Sequence, residues 1–137
     1  MSGSALRYLW ALPATIVGMA FAMIAIGTGA AIHCVDGVME VGGGGAGRAL
    51  ARLPEPLRFH AITFGHVILG IDQRTLRRAR THERVHVRQY ERWGPLFFVL
   101  YVGSSLAQWI RGRHPYFDNC FEHEAYACAA AEGDGEG

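Results

Sequence analysis

The sequence predicts an α+β fold in which an N-terminal transmembrane helix precedes a small antiparallel sheet packed on three helices. Three observations carry that reading. Residues 8–32 hold no charged side chain, enough for a helix to cross the roughly 30 Å hydrocarbon core of a bilayer. Between residues 32 and 69, apolar side chains alternate around glycine-containing turns, which is the period of strands. Residues 73–93 then run without glycine or proline and are rich in helix formers.

Composition agrees with an apolar environment. Half of the 137 residues are hydrophobic and 18% are charged, below the quarter or so usual in soluble domains. The length leaves room for one modest domain beyond the apolar segment. The formal charge is +1, yet all 13 basic residues are arginines, most of them between residues 48 and 92, and the chain from Asp118 onward is acidic. No nucleic-acid-binding motif accompanies the arginines and the pI is near 7.8, so membrane lipid rather than nucleic acid is the expected partner. Cys34, Cys120 and Cys128 form an odd set with no C-x-x-C pair, from which no disulfide framework follows.

Residues 1–32 are the expected anchor. Tyr8 and Trp10 suit the headgroup level, and Pro13 is expected within the first turns, where its missing N–H costs little. A cleaved signal peptide is the rival reading, on the small residues GTGAA at 27–31, but the apolar run is long for a signal core. Topology rules pull in opposite directions on the side of the membrane: Arg7 before a single anchor places the domain outside, whereas the arginine-rich stretch argues for the cytoplasmic side.

Residues 33–130 form the expected domain. Asp36-Gly37, inside IHCVDGVMEV at 32–41, is a type I′ hairpin signal between two short strands. The run GGGGAG at 42–47 is expected as a flexible loop, and Pro54-Glu55-Pro56 breaks the chain again. Residues 59–69 (FHAITFGHVIL) have the β-branched and aromatic content of one or two strands around Gly65, with residues 65–69 placed at a sheet edge. Asp72 is suited to cap the long helix and Gly94-Pro95 to end it and begin another over residues 95–110. Those sixteen residues are short for a span and contain Ser104, Ser105 and Gln108, which favours burial against the long helix and the sheet. A further helix starts near Asn119, and residues 131–137 are expected as a disordered acidic tail.

Within the long helix lies His82-Glu83-Arg84-Val85-His86, an H-E-x-x-H pattern. Four residues apart on a helix, two imidazoles share a face and can hold one Zn²⁺ ion, while the glutamate between them serves as the base that takes a proton from the attacking water. That is the chemistry of peptide hydrolysis, with His82 and His86 as metal ligands and Glu83 as the catalytic base. A neighbouring face carries Arg77, Arg84, Arg88 and Arg92, suited equally to solvent and to anionic headgroups.

The third ligand is expected from DNCFEHEAYA at residues 118–127. Asn119 with Glu122 three residues on fits an N-cap and its capping partner. That occupies Glu122 at the helix end and leaves Glu124 as the favoured carboxylate ligand, with Glu122 and His123 as the alternatives. His66, His114 and Tyr126 are accessory candidates by residue type, Tyr101 among them for help to an oxyanion; a lone histidine such as His66 is more often packed than functional. Cys120 and Cys128 flank Glu124 by four residues on one face, where small core residues are the commoner explanation.

H-E-x-x-H with Gln89 three positions on, followed by Asn119-x-Phe121-Glu122-x-Glu124-Ala125-Tyr126, resembles the small zincin-like proteins of bacteria. In that group an H-E-x-x-H-x-x-Q helix is paired with an N-P-x-E-x-E-A-type segment supplying a glutamate, in the manner of gluzincins. The resemblance covers residues 65–127, and Cys120 stands where proline is expected. It implies a minimal zincin-like domain and a membrane-anchored zinc metallopeptidase acting on a peptide or protein. The alternative is a non-catalytic membrane-anchored zinc-binding protein that retains the scaffold.

Overall fold

The computed structural model describes residues 3–54 and 59–134. Five helices and four strands follow one another as α1 (Gly3–Gly27), β1 (Ala31–Val35), β2 (Val38–Gly42), α2 (Gly44–Ala51), β3 (Ala61–Phe64), β4 (Val67–Gly70), α3 (Gln73–Trp93), α4 (Leu96–Ile110) and α5 (Cys120–Asp134). The class is α+β, with one N-terminal helix long and apolar enough to cross a membrane. Signal sequences share that length and composition.

The β1–β2 hairpin turns where the sequence places it. Asp36 and Gly37 both take positive φ, 48° and 78°, as a type I′ turn requires. The sheet has the order β1-β2-β4-β3. Its outer pairs are antiparallel, but β2 and β4 are parallel, with Met39 opposite Val67 and Gly42 opposite Gly70. The sheet is therefore mixed and not purely antiparallel. The cause lies in the glycine run: Gly44–Ala51 is not a flexible loop but the helix α2, and it carries the chain away from β2, so that the next hairpin returns with β4 alongside β2 in the same direction. Glu55 and Pro56 of the expected break lie outside the described residues.

Alternation of side chains gives each sheet face its own core. On one face Val41, Val67 and Leu69 pack with Ala22 of α1; on the other Val38 and Ile68 pack with Leu76 and Val87 of α3. A third cluster joins Ala11 of α1, Tyr90 of α3 and Phe97 of α4. Helix α1 thus belongs to the packed body along its length. Its Pro13 lies inside the helix and not in the first turn, because the helix already begins at Gly3.

Two terminal expectations change. Helix α4 buries Phe97 fully, but Leu96, Phe98, Val99 and Leu106 are exposed, so it packs by one face and is not enclosed. Helix α5 continues to Asp134, and the first part of the expected disordered tail is helical; residues 135–137 lie outside the described residues.

Candidate metal centre

Helix α3 sets the centre. The Asp72 side chain accepts a 2.7 Å hydrogen bond from the Thr75 N–H at the start of the helix, and the Gly94 N–H closes the far end on the Tyr90 carbonyl. His82 and His86 stand one turn apart in mid-helix, their rings 5.1 Å apart by centroid. Glu83, one position round from His82, faces the sheet instead, where its Oε2 accepts a 2.8 Å hydrogen bond from Thr63 Oγ1 of β3.

The carboxylate that meets the imidazoles is Glu122. Its Oε2 lies 2.9 Å from His82 Nε2, and its Oε1 lies 3.2 Å from His86 Nε2. Tyr101 of α4 donates a 2.6 Å hydrogen bond to the same Oε1. Glu124, the ligand favoured on sequence, is not in this group; its Oε2 accepts from Gln89 Nε2 at 3.1 Å. The physical reason is helical phase. Positions two apart on a helix point roughly 200° from each other, so only one of the two glutamates faces the histidines. Asn119 caps α5 as expected, its Oδ1 accepting from the Phe121 N–H, while its Nδ2 donates to the Tyr101 carbonyl and to Ser105 Oγ. It caps without help from Glu122, whose side chain is thereby free to reach α3.

The donor set fits a metal ion. The ligand atoms of His82, His86 and Glu122 lie within 4.8 Å of one another. Nitrogen and oxygen ligands around one tetrahedral zinc sit roughly 3.3 Å apart for bonds of about 2.0–2.1 Å, close to the 2.9 and 3.2 Å between Glu122 and the two imidazoles. Gln89 fixes the ring of His86: its Oε1 accepts from Nδ1 at 2.8 Å, which leaves Nε2 as the nitrogen with a lone pair for a cation. Gln89 also donates to the Phe121 carbonyl at 3.1 Å and so ties the helix carrying His86 to the helix carrying Glu122. Only the H-x-x-Q spacing hints at this role in the sequence. Thr63 had no such signal, since its contact with Glu83 exists only through the sheet.

Charge at the centre is divided by environment. Burial would raise the Glu122 carboxyl, but hydrogen bonds from His82, His86 and Tyr101 outweigh it and draw the pKa down to about 2. For His86, burial acts downward, yet the hydrogen bond and charge of Glu122 hold its pKa above the usual value. Glu83 goes the other way from Glu122: burial raises its pKa, with His86 and the Thr63 hydroxyl only partly offsetting. Two carboxyl groups beside the same imidazoles thus differ in proton affinity, one suited to hold a cation and one to hold a proton.

Of the accessory candidates, two lie against the centre, Tyr101 through Glu122 and Tyr126 through His82. The Tyr126 ring is 4.4 Å from His82, and its hydroxyl is 3.3 Å from that of Tyr116. His66 is elsewhere, stacked on Tyr8 and 2.9 Å from Glu91. His114 folds its own turn, its Nδ1 accepting from the N–H groups of Tyr116 and Phe117. His123 is exposed. Cys120 and Cys128 are free thiols outside the cluster.

Comparison with protein-family models, curated proteins and solved structures finds no match. The functional reading therefore rests on this chain's own residues.

Proposed function

We propose that this chain is a membrane-associated, zinc-dependent peptidase, with His82, His86 and Glu122 as the metal ligands and Glu83 as the general base. The observation that carries the reading is the convergence of two imidazole nitrogens and one carboxylate on a helix whose intervening glutamate has a raised proton affinity. Two imidazoles and one carboxylate favour zinc over harder cations. When bound, the ion supplies Lewis-acid polarisation of a carbonyl and acidifies a water.

The remaining work falls to the protein. Glu83, held by Thr63, accepts the proton of the attacking water and returns it to the leaving amine. Tyr101 and Gln89 keep Glu122 and His86 in their rotamers. The sequence placed residues 65–69 at a sheet edge, but β4 is internal, between β2 and β3. The edge strands are β1 and β3, and Thr63 on β3 touches Glu83. An extended peptide added to β3 by strand pairing runs beside the proposed base.

Glu83→Gln tests the assignment. The variant is expected to keep its zinc while cleavage of a quenched-fluorescence peptide library falls by about 10²–10⁴-fold, the usual weight of a general base. A zinc-loaded wild type that cleaves nothing, or a variant that cleaves as well as wild type, contradicts the reading and leaves a non-catalytic zinc-binding protein.

A further inference from the structure

We propose that α1 does not cross the bilayer when docked as in this structure but lies along its surface with α4, making the protein a monotopic one whose apolar helix faces rest in an anionic leaflet. The proposal concerns how the chain meets lipid and holds whether or not the metal centre hydrolyses peptides.

Helix α1 is fixed to the domain along nearly its whole length. Ala11 packs with Tyr90 and Phe97, and a Cβ built on Gly18 would lie 2.8 Å from Val67 Cβ and 2.9 Å from Phe64 Cβ, so helix and sheet touch backbone to side chain. Further on, Ala22 joins Val41 and Leu69, and Thr28 Oγ1 accepts from the Ala46 N–H just past the helix end. Ala11, Gly18 and Ala22 of α1 face the protein; Leu9, Leu12, Ile16, Met23 and Ile24 are exposed.

Were α1 to span the hydrocarbon core in this arrangement, the layers bound to it would enter with it. Those layers include the outer edges of β1 and β3, whose backbone groups would lose water without gaining partners. They also include α3, which carries Arg77, Arg84 and Arg88 among its arginines. Lying in the plane avoids both costs. A lone in-plane helix needs a polar face toward water; here the sheet and α2 cover that side of α1 instead.

Helix α4 offers a second exposed apolar face. It starts beside α1, where the Trp10 ring packs on Gly94, and exposes Phe98, Val99, Val102, Leu106, Trp109 and Ile110. Fifteen residues are too short to span, at roughly 1.5 Å per residue. Arg111 and Arg113 follow it directly, both exposed, and neither forms an ion pair among the described residues. Exposed arginines at the end of an apolar helix complement acidic headgroups, which selects a lipid surface over a second copy of this chain as the occupant. The opposite face of α4 presents Tyr101 to Glu122, so the metal centre sits one helix away from the leaflet.

Sidedness of the N-terminus decides the matter. Gly3→Cys suits the purpose, because a Cβ there meets nothing within 4 Å and the exposed Cys34 serves as the domain's internal reporter. The full chain is added to sealed phosphatidylglycerol vesicles, treated outside with a membrane-impermeant maleimide, and read peptide by peptide by mass spectrometry. The expected result is that the protein floats with the vesicles and that both the introduced thiol and Cys34 label fully before detergent is added. An introduced thiol that labels only after lysis, beside a Cys34 that labels before it, shows a spanning α1 and overturns the proposal. So does a chain that fails to float, or one whose vesicle-bound form has lost its first residues. Zinc content and cleavage do not enter the readout, so failure here leaves the peptidase reading untouched.

Discussion

At the scale of single residues, Tyr101 governs how firmly Glu122 faces the two imidazoles, because its hydroxyl is the only donor to that carboxylate, among the described residues, that a metal would not replace. Tyr101→Phe removes one hydrogen bond to a charged group and is expected to weaken zinc binding by about 10–100-fold, read by competition with a chelating dye. Equal affinity in the two proteins would mean that Glu122 is held by other contacts. The same carboxylate makes the metal-free chain pH-sensitive. Its folded pKa of about 2 lies below the usual 4.5, so the stability it contributes is complete above pH 4.5 and is lost as pH falls toward 2. The difference in unfolding midpoint between metal-free wild type and Glu122→Gln should therefore be largest between pH 4.5 and 6.5, shrink below 4.5 as Glu122 takes up a proton, and shrink again above 6.5 as His86, whose pKa Glu122 raises, gives one up; a difference that grows on acidification below pH 4.5 contradicts the assignment. His82, Glu83 and His86 were legible because helical spacing alone places them. The choice of Glu122 over Glu124 was not, since it turns on the phase of α5 against α3, which Asn119 sets through α4.

At the scale of elements, α3 was readable to the residue. Asp72 has the side chain that caps it and Gly94 the conformational freedom that ends it, and both signals are local. Asp72→Ala is expected to cost about 0.5–2 kcal/mol in denaturant unfolding, the usual worth of such a cap. An unchanged midpoint would show that packing on the sheet holds the first turn without it. The hairpin at Asp36-Gly37 was readable for the same reason, as two residues able to take positive φ. Helix α2 was hidden because glycine disfavours helices intrinsically; it forms where Gly47 lets the backbone of Ile71 approach, a contact far along the chain. The parallel pairing of β2 with β4 is equally non-local.

At the scale of the whole molecule, the apolar length of α1 was plain from sequence, but its membership of the core was not. Small residues at positions 11, 18 and 22 look unexceptional in a hydrophobic run; they become an interface only when Tyr90, Phe64 and Val41 are brought against them. Gly18→Leu should overpack that interface and lower stability by about 1–3 kcal/mol in detergent solution. A thermal midpoint equal to wild type would mean that α1 is a free tether. Helix α4 presents Tyr101 to the metal centre and leaves Phe98, Val99 and Leu106 exposed.

The claim on which the account rests is that His82, His86 and Glu122 form one metal site. Elemental analysis of the purified chain after zinc loading and desalting measures it directly, comparing wild type with Glu122→Ala and Glu124→Ala. About one zinc per chain is expected in wild type and in Glu124→Ala, and close to none in Glu122→Ala. A metal-free wild type, or a Glu124→Ala protein that alone loses its zinc, would contradict it.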